Sequence, residues 1–499
     1  MARTIDHEAD AVTSGYPVAD TAAAKELGLV LRSVRYSESS VEELLGDDAY
    51  SGGEEDAPAD ERRLPEGRLA TVIRLFFLQR PVSAADAVDA LGRSGVAALE
   101  STGFATVGDD EVVPRVRVLP IGRVLVAADG FATGDDPEDY VAVYTPTSHL
   151  LDSLTPRARV ARALDVATGS GVHALLAAAH ADRVVATDVN PRALVFTELN
   201  AALNGLSNIE CRPGSLFEPV AGETFDLITC NAPYVVSPER RFVYRDAGFN
   251  ADEVSERVVR EAAAHLADGG FAAMLVSWLA EDEDEPDERV VEWAQRTGCD
   301  SWILSAWDAD PLSHAATWNS HLSGDALEQA LDEWTAYFED LGVEWISEGA
   351  VLLHKRPGGG EARVDAIEPD DVETADEQIR RAFASRARLT ELEGREALLD
   401  QRLSIEMAFG LEQELEPHNG RAAIVESRIQ LLEGTNTTVD VERGVLDVVA
   451  SLDGRTPLRE LIATVARRLG LSEGELPRLE REALKATEEL LDLGVLALR

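Results

Sequence analysis

The sequence predicts an α/β fold in which an open sheet lies between two smaller units that combine helices with short strands. Three observations predict it. An apolar strand leads into a glycine-rich turn over 163–171, and a helix follows. The next strand, over 184–187, ends in Asp188, and a later buried strand, over 225–230, ends in the tetrapeptide 231–234. Strands that alternate with helices build such sheets, and ligands bind at the carboxyl ends of the strands.

The first unit, over 1–140, is predicted from apolar residues at helical spacing and from a short hairpin. Helices are predicted over 22–31, 37–45, 68–79, 84–91 and 96–101, and strands near 105–107 and 112–113. Three helices followed by a β wing resemble a winged helix. The helix over 84–91 is acidic and small instead of basic, so we expect it to serve in packing or substrate presentation rather than in DNA binding.

The glycine-rich turn starts from Asp165 and contains Ala167, Gly169 and Gly171. Glycine allows a sharp turn and a close approach of the backbone to a ligand, and the helix that follows offers free N–H groups. Asp188, at the end of the next strand, can accept hydrogen bonds from both hydroxyls of a ribose. This pattern therefore predicts a nucleotide-like cofactor.

Two cofactors fit this pattern: a dinucleotide and S-adenosylmethionine. The dinucleotide fingerprint has a third glycine, and this chain has Ala174 at that position. One methyl group is a small departure from the fingerprint. The loop alone therefore excludes neither cofactor.

The run Asp165-x-Ala-x-Gly-x-Gly resembles the first motif of class I methyltransferases, with Ala167 in place of the first glycine. The tetrapeptide 231–234 resembles the Asn-Pro-Pro-Tyr signature of methyltransferases that modify planar nitrogens, with alanine in place of the first proline. Residues 188–194 and 200–206 are similar to the second motif and the following helix of HemK-type glutamine methyltransferases. The tetrapeptide therefore favours a methyltransferase over a nicotinamide enzyme.

This resemblance covers about 140–355 and implies a Rossmann-like class I methyltransferase domain with S-adenosylmethionine as its cofactor. It also implies roles in catalysis. The side-chain oxygen of Asn231 and the carbonyl of Ala232 accept hydrogen bonds from the N–H groups of the substrate, which raises the electron density on its nitrogen. Pro233 stiffens the turn, and Tyr234 offers an aromatic face for a planar substrate.

The residues that the resemblance assigns to the cofactor follow the ends of the first four predicted strands. They are Asp165, Ala167, Gly169, Gly171, Asp188, Ser215 and Asn231. Asp188 is expected to bind the ribose. Ser215 stands where the family often has an acid that binds the adenine amino group.

The domain boundaries are predicted from composition and from the resemblance. The methyltransferase domain is expected over 141–357, up to a proline and glycine-rich stretch. An acidic linker is expected over 358–400. Residues 401–499 predict a C-terminal unit of three helices and a small strand, which again resembles a winged helix.

The chain has 46 basic and 92 acidic residues, and its formal net charge is −46. Such a surface repels nucleic acid over most of its area. Three cysteines without metal-ligand spacing predict neither a disulfide framework nor a metal site. Because no apolar run is long enough for a membrane span and no hydrophobic signal segment starts the chain, we expect a cytoplasmic protein that does not enter a membrane.

Three functions stay open at this point. The first is an N-methyltransferase whose partner is a protein with a glutamine amide. The second is an rRNA base N-methyltransferase, which requires a basic face on a terminal domain. The third is a regulatory protein that binds the cofactor without turnover while its terminal units bind partners.

Overall fold

The computed structural model describes residues 17–131, 137–238, 251–418 and 421–499. The N-terminal helices are α1 (Thr21–Ser33), α2 (Glu38–Leu45), α3 (Ala57–Arg63), α4 (Arg68–Val72) and α5 (Ala84–Thr102). The N-terminal strands are β1 (Val82–Ser83), β2 (Ala105–Val107), β3 (Glu111–Pro114), β4 (Arg117–Ile121) and β5 (Val124–Ala128). Strands β1–β3 form one antiparallel sheet, and β4 and β5 form a separate pair. The predicted helices followed by a hairpin are present, and the winged-helix assignment stays a prediction.

Two departures from regular helix lie inside this unit. The predicted helix over 68–79 changes from α4 into a π-helical turn over Ile73–Phe77. Helix α5 runs across both predicted segments, 84–91 and 96–101, but bends at Gly92, whose φ is +71°. A left-handed residue interrupts the helical hydrogen bonds. The kink therefore divides α5 into two helical segments, as the sequence predicts.

The central part alternates strands and helices, as the sequence predicts. Its helices are α6 (Pro146–Leu154), α7 (Val172–Ala177), α8 (Pro191–Leu203), α9 (Glu253–His265), α10 (Glu288–Arg296), α11 (Pro311–Trp318) and α12 (Asp325–Leu341). Its strands are β6 (Val160–Val166), β7 (Ala181–Asp188), β8 (Ile209–Pro213), β9 (Phe225–Cys230), β10 (Leu266–Ala280), β11 (Asp300–Ala309), β12 (Trp345–His354) and β13 (Ala362–Ala366).

These eight strands form one sheet in the order β8-β7-β6-β9-β10-β12-β11-β13. Only β12 runs antiparallel to its neighbours. The chain reverses its direction of strand addition between β6 and β9, and ligands bind at such a switch point in open α/β sheets. The predicted Rossmann-like fold is therefore confirmed for the central part.

The described C-terminal elements begin with α13 (Asp376–Thr390) and continue through five strands and three helices. They are β14 (Leu403–Ile405), β15 (Phe409–His418), β16 (Arg421–Leu431), β17 (Thr438–Asp440), α14 (Arg443–Val449), α15 (Leu458–Leu469), α16 (Leu476–Asp492) and β18 (Leu496–Leu498). The long β15–β16 hairpin was not expected from the sequence.

Residues 358–400 do not form the acidic linker that the sequence predicts. They contribute β13 to the central sheet and helix α13 to the core of the C-terminal unit. Ile379 and Phe383 of α13 are fully buried. The linker was expected from the acidic composition of this segment. Its acidic residues alternate with apolar residues that face inward, and an average over the segment does not show this pattern.

Arg386 of α13 connects the C-terminal unit to the sheet. Its guanidinium donates to the carbonyl of Ser301 at 3.0 Å and to that of Asp492 at 3.1 Å. It also lies over the rings of Trp302 and Phe383, 5.2 and 5.1 Å from their centroids. The side chain is 3% exposed. One buried cation therefore joins two layers of the fold.

Two asparagines of α8 connect the N-terminal unit to the central sheet. The Asn204 side chain accepts from the N–H of Leu125 at 2.9 Å and donates to its carbonyl at 2.7 Å. The Asn200 side chain pairs in the same way with Ala127, at 2.8 and 2.7 Å. Asn200 also donates to the carbonyl of Ser170 in the glycine-rich turn, at 2.8 Å. The two amides therefore pair with β5 as a neighbouring strand would.

Candidate active site

The glycine-rich turn leaves the carboxyl end of β6 with three residues at positive φ. These are Ala167 (+53°), Gly169 (+55°) and Gly171 (+84°). A Cβ at Gly171 would lie 2.8 Å from Thr197, whereas a Cβ at Gly169 would meet nothing within 4 Å. Gly171 is therefore required for the turn to pack on α8, and Gly169 presents open backbone on the side where a ligand can approach.

Asp165 lies beneath this turn. One of its carboxylate oxygens accepts from Thr229 at 2.8 Å, and the other accepts from the Thr168 hydroxyl at 2.6 Å and the Ala174 N–H at 3.1 Å. Burial raises the pKa of Asp165 to about 7, against the effect of these hydrogen bonds. The sequence groups Asp165 with the cofactor-binding residues, and in the structure it fixes the shape of the turn from below.

Asp188 lies at the carboxyl end of β7 beside the turn. Its carboxylate accepts from the N–H of Gly169 at 2.9 Å and from the N–H of Asn190 at 2.8 Å. Burial raises the pKa of Asp188, and the hydrogen bonds from the backbone oppose this effect. The carboxylate is thus oriented by the backbone at the edge where a ribose would lie.

Ala167 occupies a backbone conformation that costs an L-residue roughly 1 kcal/mol relative to glycine. We expect Ala167→Gly to raise the free energy of unfolding by about 0.5–1 kcal/mol, because relief of strain exceeds the added entropy of the unfolded chain. Urea titration measures the change. Ala174→Gly, in the helical conformation of α7, is the matched control and is expected to lower stability by about 1 kcal/mol. A loss of stability in Ala167→Gly would show that the strain is negligible.

The tetrapeptide 231–234 leaves the sheet beside the glycine-rich turn. Val166 and Cys230 are paired in register on the neighbouring strands β6 and β9, so both loops start at the same level. Asn231 and Pro233 are partly exposed there, and Ala232 is buried. The structure therefore brings the proposed catalytic and cofactor-binding residues together at one edge of the sheet.

The ring of Tyr234 is buried, whereas the sequence predicts that it offers an open aromatic face to the substrate. Its side chain is 6% exposed and packs in the core with Leu150, Leu151 and Leu154 of α6. Burial raises the pKa of its hydroxyl, and a hydrogen bond with Thr147 opposes this effect. Tyr234 therefore anchors the loop from below, because α6 covers the face that the sequence alone leaves free.

Ser215 lies at the carboxyl end of β8, where the N–H of Gly214 donates to the Asp188 carbonyl at 2.9 Å. Its side chain is partly buried. The structure thus places Ser215 beside the Asp188 backbone.

Val189 is a candidate cofactor-binding residue that was not predicted from the sequence: it follows Asp188 directly and is 53% exposed. An apolar side chain exposed beside a ribose-binding acid can cover the face of a base. The sequence signal for this role is an apolar residue directly after the acid that ends the strand.

Among the described residues, no group of three or more His, Cys, Asp or Glu side chains is arranged to hold a metal ion. The helices of the described ranges include none with the length and apolar character that crossing a membrane requires.

Comparison with known proteins agrees with this geometry. Residues 143–278 match the family model described as the methyltransferase small domain. These residues form a methyltransferase domain. Residues 33–115 match a second model, described as a domain of unknown function (DUF7059). The methyltransferase domain thus contains both the glycine-rich turn and the tetrapeptide.

The relatives of the methyltransferase domain include glutamine methyltransferases. The release factor glutamine methyltransferase of Xylella fastidiosa is 29% identical over 184 residues, which are 34% of this chain and 66% of that protein. The ribosomal protein uL3 glutamine methyltransferase of Bradyrhizobium diazoefficiens is 37% identical over 126 residues, 22% of this chain and 40% of that protein. The chain thus spans less than two thirds of these relatives. The predicted resemblance to HemK-type enzymes is confirmed.

Among solved structures, a methyltransferase from Pyrococcus furiosus is similar at 19% identity and a TM-score of 0.28, over 44% of this chain and 86% of that chain.

Proposed function

We propose that this protein is an S-adenosylmethionine-dependent N-methyltransferase that acts on a planar nitrogen, the side-chain amide of a protein glutamine. One observation carries the proposal: Asn231 and the glycine-rich turn leave adjacent strands at the same level. A methyl donor held by the turn and an amide held by Asn231 would then lie next to each other. The two named relatives that methylate glutamine support the choice of acceptor.

The cofactor supplies an electrophilic methyl group, and the chain has to position the acceptor. An amide nitrogen is a poor nucleophile because its lone pair is delocalised. Acceptors at Asn231 and at the carbonyl of Ala232 would bind its N–H groups and direct the lone pair toward the methyl group. Burial of Ala232 and Tyr234 on either side of Pro233 keeps this loop in one conformation.

The residues around the turn fit the cofactor. Gly169 leaves space for close approach, and the Asp188 carboxylate is oriented at the end of β7. Val189 would cover one face of the adenine, with Ser215 on the next strand. Asp165, Ala167 and Gly171 would act through the shape of the turn.

Asp188→Asn is expected to weaken binding of S-adenosylmethionine about 10–100-fold, because a charged acceptor for the ribose hydroxyls is lost and the amide nitrogen would face one of the two backbone N–H groups that the carboxylate binds. Isothermal titration calorimetry measures the dissociation constant. Glu210→Gln is the matched control, since this exposed carboxylate on β8 pairs with Arg183 and Arg212 away from the turn. Equal affinities for Asp188→Asn and the parent protein would disprove the ribose assignment.

The acceptor can be identified with tritium-labelled S-adenosylmethionine. The purified protein would be incubated in turn with release factors, ribosomal protein uL3 and ribosomal RNA from the same source. We expect label on a protein glutamine, located by mass spectrometry of peptides. Label in RNA alone would favour a base methyltransferase instead. Cofactor binding without label in any fraction would favour a regulatory protein. A glutamine acceptor among translation proteins would be met in the cytoplasm, where we expect the protein to act.

A further inference from the structure

A buried pair of side chains lies behind the tetrapeptide 231–234. Glu348, on β12, is 8% exposed, and His314, on α11, is 4% exposed. One carboxylate oxygen of Glu348 lies 3.6 Å from His314 Nδ1 and accepts from the indole N–H of Trp318 at 3.2 Å. Acidic and imidazole side chains are seldom buried together without a specific role for their polar atoms.

The other nitrogen of His314 faces the loop that carries the tetrapeptide. His314 Nε2 lies 3.1 Å from the carbonyl oxygen of Val236, two residues after Tyr234. A carbonyl only accepts, so Nε2 is the protonated nitrogen of the neutral ring. Burial lowers the pKa of His314 to about 4, which keeps the ring neutral.

Glu348 completes this arrangement from the side of Nδ1. Nδ1 is then an acceptor that faces an oxygen of Glu348, so a proton on the carboxyl group is needed to make the contact favourable. Burial raises the pKa of Glu348 to about 7, in the direction that keeps this proton. At 3.6 Å this contact is longer than a hydrogen bond, so the carboxyl group supports the ring orientation that lets Nε2 donate to the loop by packing against the side of Nδ1.

A second carbonyl of the same loop is held from the adjacent strand. Ser277, on β10, is paired in register with Glu348. Its hydroxyl donates to the carbonyl of Tyr234. Side chains from β10 and α11 therefore bind alternate carbonyls of the loop, one at the last residue of the tetrapeptide and one two residues after it.

We propose that His314 and Glu348 are positioning residues: His314 sets the conformation of the 231–236 loop by donating a hydrogen bond to the Val236 carbonyl, and Glu348 packs against the other nitrogen of the ring. This proposal rests on the proposed function, because the loop matters for turnover only if Asn231 binds the acceptor. Neither residue belongs to the motifs by which the chain resembles glutamine methyltransferases. A displacement of about 1 Å in a reacting group can cost about 100-fold in rate.

Four variants of the full chain test the proposal. His314→Ala and Glu348→Leu remove the donor and its support, and we expect kcat to fall about 10–100-fold. The KM for S-adenosylmethionine should stay within about threefold, because the turn over 167–171 is untouched. His314→Gln can still donate to Val236. Glu348→Gln keeps the size of the side chain, but its amide cannot both donate to Nδ1 and accept from Trp318, because the same oxygen of Glu348 lies against both groups. We expect His314→Gln to retain most of the kcat and Glu348→Gln to fall between the parent protein and Glu348→Leu.

Hydrogen–deuterium exchange gives a second result that needs no methyl acceptor. We expect amide exchange over 231–238 to become about tenfold faster in His314→Ala and Glu348→Leu, to return near the parent rate in His314→Gln, and to stay unchanged over 167–175. If the parent protein shows no turnover but this exchange pattern appears, the proposed function fails while the positioning role stands. Equal exchange over 231–238 in the parent protein and all variants, or equal loss of kcat in His314→Ala and His314→Gln, would overturn the positioning role.

Discussion

Asn231→Ala is expected to abolish methyl transfer while cofactor affinity stays within about threefold. Removal of one preorganised hydrogen-bonding group at a reacting centre typically costs about 10²–10³ in rate, and here it would also remove the group that selects the lone pair of the amide. The measurement is transfer of tritium from S-adenosylmethionine to the acceptor, with the dissociation constant of the cofactor determined in parallel.

Pro233→Ala is the control for this prediction. It keeps the carbonyl of Ala232 and the side chain of Asn231, so we expect less than about a tenfold loss of rate. If Asn231→Ala keeps the parent rate, Asn231 is not the acceptor of the amide N–H groups. If both variants lose activity equally, the loop conformation and not the asparagine side chain determines the rate.

Arg386→Met is expected to lower the free energy of unfolding by about 3 kcal/mol. Methionine keeps the buried apolar stem but removes the donors that the carbonyls of Ser301 and Asp492 bind where the C-terminal unit meets the sheet. The loss also removes the cation from the rings of Trp302 and Phe383. Urea titration followed by tryptophan fluorescence measures the change, because Trp302 is fully buried beside Arg386.

Arg380→Met on the same helix is the matched control. Arg380 pairs with Asp376 and Glu377 on the surface, where an ion pair contributes at most about 1 kcal/mol. We expect its stability to stay within about 0.5 kcal/mol of the parent protein. If Arg386→Met also changes the free energy of unfolding by less than about 0.5 kcal/mol, the contact between the C-terminal unit and the central sheet does not depend on the buried cation.

The parts of the site that could be predicted from the sequence are those fixed by short local patterns. Strand-ending acids and glycine turns have local backbone requirements, and so Gly171 and Asp188 could be placed from the sequence. Which side chains are covered by another helix or strand depends on residues that are far away in the sequence. Tyr234 is predicted as an open face because nothing in its own segment shows that α6 packs on it.

The same reasoning explains the misassigned linker over 358–400 and the missed hairpin. The inward face of α13 consists of a few residues such as Ile379 and Phe383 among many charges, and only the tertiary packing shows what they contact. Strand β15 has three glutamates and a proline among ten residues, and both residue types are depleted in strands. Its pairing with β16 is therefore determined by the partner strand and not by the propensity of its own segment.

The paired amides of Asn200 and Asn204 have a consequence for how this protein can be divided. Both side chains bind the open edge of β5 as a neighbouring strand would, and Asn200 also binds the carbonyl of Ser170. Hydrogen bonds through α8 therefore connect the N-terminal unit to the glycine-rich turn. Excision of that unit would leave both amides without their partners on β5, while Asn200 would keep its bond to the Ser170 carbonyl. We therefore expect changes around β5 to act on the orientation of α8 and on the glycine-rich turn as well as on the N-terminal unit itself.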